Sequence, residues 1–168
     1  MARLSRFGVG PTIAIPVFVY TAAALAASYR WPDTFLARPL PLAVRIVGAA
    51  LTALGVLLWG AAIVPVERGY NRDRLVTTGV YGLVRHPMYA GWITLAFPGL
   101  ALLIGSWPML GTPIIGYASF RRMIHREDEY LEKRYGQDYL EYRQRVNEVL
   151  PIPRLERLRH DSSVENHP

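Results

Sequence analysis

The side chains best suited to chemistry lie close together in residues 79–92, GVYGLVRHPMYAGW. Arg85 offers a rigid cationic fork, and His86 offers an imidazole that can be neutral at cytosolic pH. Pro87 suits the first turn of a helix, whose free backbone N–H groups beside Arg85 attract a carboxylate or phosphate. Aromatic faces come from Tyr81, Tyr89 and Trp92, and close backbone approach from Gly79, Gly82 and Gly91. This stretch can hold a small charged molecule, or it can simply anchor a membrane helix.

A second group of such side chains is the acidic run Glu127, Asp128 and Glu129. Its carboxylates can accept hydrogen bonds from a ribose, or attract an ammonium or sulfonium. The alternative is a solvated helix face whose charges are balanced by Arg122, Arg126 and Arg134. The two stretches form one site only if the elements that carry them meet.

Those elements are predicted to be membrane helices. Of the 168 residues, 51% are hydrophobic, and the mean hydropathy of +0.14 is too apolar for an ordinary soluble domain. The basic residues are almost all arginine and crowd the ends of apolar segments, which favours membrane lipids over nucleic acid as partners. The absence of cysteine excludes disulfides, a thiolate metal site and a cysteine nucleophile, and we predict no bound metal.

Apolar segments that can cross or nearly cross a bilayer occur at residues 11–29, 40–66, 88–105 and 107–120. The first extends about 28 Å as a helix, close to the hydrocarbon thickness, whereas the fourth reaches only about 21 Å. The third and fourth are so close in sequence that they predict a helical hairpin. We therefore predict an all-α integral membrane bundle with about four transmembrane helices.

The placement of basic residues predicts the orientation of this bundle, because they are retained on the cytoplasmic side. With the N-terminus inside, the outer loops contain only Arg30, Arg38 and Arg45, while Arg3, Arg6 and the other basic residues lie inside. Both termini and both polar stretches, 67–87 and 121–153, then face the cytosol. The two stretches can share one cytoplasmic site.

The C-terminal region predicts a cytosolic helical cap. It indicates a helix from residue 121, a break near Gly136 and a second short helix that ends before Pro151. One face of the second helix is predicted to carry Tyr139, Tyr142, Val146 and Val149. Residues 154–168 are expected to form a loose tail.

Two parts of the chain resemble a known family of integral membrane methyltransferases. They are LVTTGVYGLVRHPMYAGW at residues 75–92, and REDEYLEKRYGQDYLEYRQRV followed by LPIP at residues 126–153. The family includes isoprenylcysteine carboxyl methyltransferase and the phospholipid N-methyltransferases. The resemblance rests on an arginine-histidine-proline-any-tyrosine signature, a hairpin, an acidic pair, an aromatic-glycine step and a final proline. It implies a methyltransferase domain over residues 1–153, with its cofactor-binding part at 75–153.

The resemblance also implies S-adenosylmethionine as the cofactor and assigns roles by position. The residues expected to enclose the cofactor are Tyr81, Arg85, His86, Pro87, Tyr89, Gly91, Glu127 and Asp128. Asp128 stands where the family more often has glutamate, and Tyr135 stands where it more often has phenylalanine. Arg145 matches a basic position near the substrate. Catalytic roles are therefore expected for Arg85, His86 and Arg145.

The implied reaction is direct transfer of a methyl group to a lipophilic acceptor, most of its rate coming from proximity and orientation. An isoprenylcysteine-like carboxylate, a phospholipid amine and another small lipophile all remain open as acceptors. An ionised acceptor needs no base, whereas an amine needs His86 or a glutamate to remove a proton.

Two other functions remain alternatives. A membrane reductase of the sterol type would use NADPH, but Met88 and Trp92 depart from its related signature. A non-catalytic membrane scaffold would keep the fold without the reaction.

Overall fold

The computed structural model describes residues 10–151, and over that range the chain is almost entirely helical. The α-helices are α1 (Gly10–Arg30), α2 (Pro32–Phe35), α3 (Leu42–Asn71), α4 (Val80–Leu83), α5 (Pro87–Ala90), α6 (Phe97–Ile104), α7 (Gly111–Tyr135) and α8 (Gln137–Arg145). A π-helical stretch, Gly91–Ala96, joins α5 to α6, and a short 3-10 turn, Pro108–Leu110, precedes α7. Predictions for Arg3, Arg6, Pro153 and the tail at 154–168 fall outside the described residues.

Within residues 10–151, three helical segments are long and apolar enough to cross a membrane: Thr12–Arg30, Leu42–Gly69 and Pro87–Ile104. Large apolar side chains on them, such as Phe18 and Leu57, are exposed on the outside of the bundle, as expected for surfaces that face lipid. The prediction of an all-α membrane bundle is confirmed. Helix α7 is apolar only in its first half and continues without a break into the charged region, so its crossing stays a prediction.

Helix α3 and the third span, Pro87–Ile104, pack in close contact along a row of small residues. A Cβ placed on Gly55 would lie 2.5 Å from the Gly91 carbonyl oxygen, and one on Gly99 would lie 2.6 Å from the Thr52 nitrogen. Both neighbours are backbone atoms, so neither can move aside. Small residues allow such close approach, which provides van der Waals contact where lipid offers little hydrophobic driving force.

The hairpin predicted between the third span and α7 is present, and α7 returns to pack along α1. At the end of the bundle away from the polar stretches, the hydroxyls of Ser28 and Ser106 lie 2.7 Å apart, both buried. The Tyr20 hydroxyl donates to the Pro108 carbonyl at 3.0 Å. These bonds join the first helix to the hairpin turn, so α1, the third span and α7 form one packed unit.

The third span changes its hydrogen-bond pattern part of the way along. At the end of the π-helical stretch, the Phe97 N–H donates to the Trp92 carbonyl five residues earlier, and Pro98 follows without an N–H to offer. The Thr94 hydroxyl donates to the Ala90 carbonyl at 2.6 Å, which satisfies an acceptor near the change. The π-helical turn therefore lies between α5, which follows Arg85 and His86, and α6, which contains Pro98.

The C-terminal cap follows the predicted helix, break and helix, with one difference. Gly136 has a positive φ of 56° between α7 and α8, a conformation that glycine adopts readily. Helix α8 ends at Arg145, and Val146 has an extended backbone, with φ −122° and ψ 132°. The prediction that Val146 and Val149 continue the face of α8 is therefore wrong. The backbone beyond Arg145 instead turns to pair with another segment.

We expect Gly55→Ala to destabilise the protein, because the new methyl group meets backbone atoms of the third span. Overpacking of this kind costs about 1–3 kcal/mol. Gly60→Ala on the same helix is the matched control, because a Cβ there has nothing within 4 Å. Thermal unfolding in detergent micelles measures both variants, and an equal, small effect at the two positions would contradict the close contact.

Candidate active site

A buried guanidinium joins the two polar stretches. The Arg85 side chain is only 2% exposed, and its Nη1 donates to both carboxylate oxygens of Asp128, at 3.3 and 3.2 Å. Nη1 also donates to the Tyr139 hydroxyl at 3.1 Å, which in turn donates to Asp128 Oδ1 at 2.5 Å. A buried charge must be paired and hydrogen-bonded, and these contacts tie the third span to α7 and α8.

The segment after α8 also contacts Arg85, and it contacts His86 as well. The backbone N–H of Arg85 donates to the Asn147 carbonyl at 2.7 Å, and that of His86 donates to the Glu148 carbonyl at 2.9 Å. The Glu148 carboxylate accepts from Arg85 Nη2 at 3.4 Å and from Arg121 Nη1 at 2.7 Å. Residues 147–148 thus act as a strap across the start of the third span.

His86 lies buried between two carboxylates. Its Nε2 is 3.3 Å from Asp128 Oδ1 and its Nδ1 is 3.7 Å from Glu127 Oε1, while the Phe120 ring packs edge-on against the imidazole. The Nε2 atom is close to Asp128 without hydrogen-bond alignment. Burial lowers the pKa of His86, but its close contacts with the negatively charged carboxylates of Asp128 and Glu127 outweigh this effect, so the pKa is raised overall.

Asp128 is the anionic centre of the cluster. Burial by itself raises the pKa of its carboxyl, yet the close contact with His86, the hydrogen bond from Tyr139 and the charge of Arg85 lower that pKa well below its usual range. Burial raises the pKa of the Tyr139 hydroxyl, and its hydrogen bond to Asp128 raises that pKa further. The aspartate is therefore ionised and the tyrosine is neutral throughout the physiological range.

Glu127, one residue earlier, lies in the wall of a separate space that we call the polar cavity. Its Oε2 accepts from the Tyr89 hydroxyl at 3.2 Å, and its side chain is 19% exposed. The cavity encloses about 120 Å³. Its described lining comprises Val66, Arg74, Leu75, Val76, Tyr81, Arg85, His86, Pro87, Met88, Tyr89, Glu127, Tyr130, Leu131, Arg134, Tyr135, Tyr139 and Tyr142.

A second space, the apolar groove, adjoins the polar cavity. It measures about 450 Å³ and is lined by Ile13, Ala14, Val17, Phe18, Trp59, Met88, Tyr89, Trp92, Ile93, Phe97 and Gly116. Several of these side chains, including Phe18, lie on the surface that faces lipid. Met88 and Tyr89 line both spaces. The first turn of the third span therefore separates a polar compartment from an apolar one.

The structure brings most of the predicted site residues to one place. Those that line the polar cavity are Tyr81, Arg85, His86, Pro87, Tyr89 and Glu127. Asp128 lies behind this wall, bound to Arg85 and Tyr139. Gly91 packs against Gly55 in the helix contact, and Arg145 is exposed at the end of α8, outside both linings. The functional roles of all these residues stay predictions.

Several residues at the site were not singled out for it from the sequence. They are Arg74, Tyr130, Arg134, Tyr139, Tyr142 and Glu148. Tyr130 and Arg134 follow Glu127 by three and seven residues, so helical spacing along α7 carried a signal for these two. Glu148 carried none, because its role depends on the fold of the chain after α8.

Comparison with known proteins places the first polar stretch, 67–87, and the beginning of the second, 121–138, in one family match. The sequence model of the family described as phospholipid methyltransferase matches residues 43–138. A probable protein-S-isoprenylcysteine O-methyltransferase of Oryza sativa subsp. indica is 30% identical over 113 residues, covering 66% of this chain and 59% of that protein. The protein-S-isoprenylcysteine O-methyltransferase of Homo sapiens is 30% identical over 160 residues, covering 79% of this chain and 51% of that protein.

A further relative matches nearly the whole chain. The cobalt-zinc-cadmium resistance protein CzcN of Cupriavidus metallidurans is 29% identical over 165 residues, which cover 98% of this chain and 72% of that protein. In contrast, the chain spans only 51% to 59% of the length of the two isoprenylcysteine O-methyltransferases.

We expect Arg85→Met to lower the free energy of unfolding by about 3–5 kcal/mol, because it leaves the buried Asp128 carboxylate without its guanidinium partner. Arg121→Met is the matched control. Its side chain is 54% exposed and pairs with Glu148, and an exposed pair contributes about 1 kcal/mol or less. Chemical denaturation in micelles measures both, and similar losses for the two variants would contradict the structural role of Arg85.

The raised pKa of His86 predicts a pH-dependent contribution to stability. A histidine whose folded pKa lies above its unfolded value of about 6.5 stabilises fully below that pH and loses its contribution as the pH rises through the folded pKa. The stability of the wild type relative to His86→Gln should therefore be greatest below about pH 6.5 and shrink as the pH rises above that value. Thermal unfolding of both proteins, measured across this pH range, tests the prediction. A stability difference that does not change with pH would contradict a raised pKa of His86.

Proposed function

The chain belongs to the phospholipid methyltransferase family, and on that premise we propose that it transfers a methyl group from S-adenosylmethionine to a lipophilic acceptor. The predicted resemblance to the membrane methyltransferases is confirmed. One observation carries the proposal: Met88 and Tyr89 separate a polar cavity from an apolar groove. Such a partition suits a reaction between a water-soluble donor and an acceptor that resides in the membrane.

The side chains of the polar cavity suit this donor. Glu127 presents an anionic carboxylate, which can accept hydrogen bonds from ribose hydroxyls. The rings of Tyr81, Tyr89 and Tyr130 offer faces that can attract a cationic centre. Arg74 and Arg134 add guanidinium groups that suit a carboxylate.

Two side chains hold the Glu127 carboxylate in place in the absence of a ligand. Tyr89 donates to one oxygen of Glu127, and the imidazole of His86 lies beside the other. Both side chains begin in the first turn of the third span, so the carboxylate on α7 is positioned by a helix that crosses the membrane. The bound donor supplies an electrophilic methyl group on a sulfonium.

The surroundings of His86 bear on its predicted role as general base. The two carboxylates around it raise its pKa, which favours the protonated form, and that form has no lone pair to accept a proton. An acceptor that is already ionised, or whose proton is taken elsewhere, suits this site better. The chain then contributes by holding donor and acceptor together and by excluding water, and such positioning can supply most of a rate enhancement.

The apolar groove suits the hydrocarbon part of the acceptor. Its described lining contains no charged side chain, so a lipophile can enter from the bilayer without removing an ion from water. An isoprenylcysteine-like carboxylate, a phospholipid amine and another small lipophile all satisfy this condition. The arginine distribution supports a cytosolic donor cavity, since basic residues concentrate at that end of the bundle.

The family match gives no support to the reductase alternative. A non-catalytic scaffold does not need a polar cavity that meets an apolar groove. The experiment below tests the scaffold alternative as one of its outcomes.

We expect purified protein in micelles or nanodiscs to bind S-adenosylmethionine. Glu127→Gln should weaken this binding by about tenfold or more, because hydrogen bonds to a charged group are among the stronger ones. Glu129→Gln is the matched control, because Glu129 is exposed on the same helix and lies outside the cavity lining. Calorimetric titration measures the affinities.

Labelled methyl transfer to a membrane lipid extract completes the experiment. Binding and transfer by the wild type, both reduced by Glu127→Gln but not by Glu129→Gln, would support the proposal. Binding of NADPH in place of S-adenosylmethionine would favour the reductase. Binding of neither would favour the scaffold.

A further inference from the structure

An ion pair joins the two sides of the polar cavity at its rim. Arg134 on α7 donates from Nε to Asp73 Oδ1 at 2.8 Å, and its Nη2 lies 2.6 Å from the same oxygen. Asp73 belongs to the loop after α3, next to Arg74, which lines the cavity together with Arg134. The pair therefore connects the loop to α7 where the two meet beside the cavity.

Both partners are held in defined positions. Arg134 Nη1 donates to the Tyr130 hydroxyl at 2.7 Å, and the guanidinium lies 5.9 and 5.6 Å from the ring centres of Tyr130 and Tyr135. Asp73 has a positive φ of 52°, in a tight turn where the Arg74 N–H donates to the Gly69 carbonyl at 2.9 Å. Aromatic rings thus orient the guanidinium independently of Asp73.

Side chains of opposite charge also line the cavity at two positions along α7. Glu127 and Arg134 are seven residues apart, which places them on the same face about 10 Å apart along the axis. The third guanidinium of the described lining, that of Arg85, is committed to Asp128 and Glu148. A ligand that bears hydroxyl donors or a cation at one end and a carboxylate at the other matches this arrangement.

We propose that Arg134 binds the α-carboxylate of S-adenosylmethionine, and that the carboxylate replaces Asp73 as the partner of this guanidinium when the cavity opens. This inference rests on the proposed function. Asp73 is 74% exposed, and exposed ion pairs contribute little to stability, so the exchange of one carboxylate for another carries a small penalty. Breaking the pair also frees the loop from α7, which gives a ligand more room at the rim of the cavity.

The experiment compares two probes that differ in one group: S-adenosylmethionine and its decarboxylated form, which keeps the sulfonium and the amine. The wild type should bind the first more tightly. Arg134→Gln should weaken binding of S-adenosylmethionine by about 10- to 100-fold, while changing that of the decarboxylated probe by less than about 3-fold. Arg134→Lys should keep part of the preference, because it retains the charge without the planar fork.

Two control variants separate this role from other effects. Lys133→Gln removes the same charge from an exposed neighbour outside the cavity lining, and it should keep the preference for the carboxylate. Asp73→Asn breaks the ion pair without touching Arg134, and it should keep the preference as well. The proposal would be overturned if Asp73→Asn lost the preference for S-adenosylmethionine over the decarboxylated probe as completely as Arg134→Gln does. The ion pair, and not the guanidinium itself, would then be responsible for the preference.

The outcomes distinguish this inference from the proposed function. A wild type that binds both probes equally would overturn the inference and leave the proposed function standing. A wild type that binds neither would overturn the proposed function itself. Unfolding temperatures of each variant, measured alongside, confirm that the proteins compared are folded.

Discussion

The buried guanidinium of Arg85 is the constraint on which the end of the molecule that carries the polar cavity depends. A guanidinium keeps its charge at all relevant pH values, so once buried it must be supplied with acceptors. Those acceptors come from α7, α8 and the segment after α8, through Asp128, Tyr139 and Glu148. Satisfying one charge therefore draws three separate parts of the chain onto the start of the third span, and the polar cavity forms between them.

The same constraint explains why two adjacent carboxylates have different tasks. Successive residues of a helix point about 100° apart, so Asp128 faces the buried guanidinium while Glu127 faces the cavity. Asp128 is ionised and fully engaged inside the protein. Glu127 is held by Tyr89 but keeps part of its surface open. In this chain the acidic pair combines one residue that holds the fold together with one that can meet a ligand.

Much of this architecture could be predicted from the sequence, because hydropathy and the break at Gly136 are local signals. The orientation indicated by arginine placement stays a prediction. The meeting of the Arg85 and Glu127 stretches followed from the predicted hairpin. The error at Val146 arose because helical spacing continues in the sequence after the helix has ended, whereas the backbone there pairs with Arg85 and His86. The Asp73–Arg134 pair could not be predicted from the sequence, because it depends on a loop conformation that residue spacing does not indicate.

The π-helical stretch Gly91–Ala96 has a consequence for how the third span can change over evolution. One additional residue per turn shifts the side-chain register by about 100°. Eight residues of regular α-helix would turn Gly99 about 80° away from Gly91, whereas both glycines meet α3 here. A deletion that restored a regular α-helix would therefore take one of the two glycines out of the contact with α3.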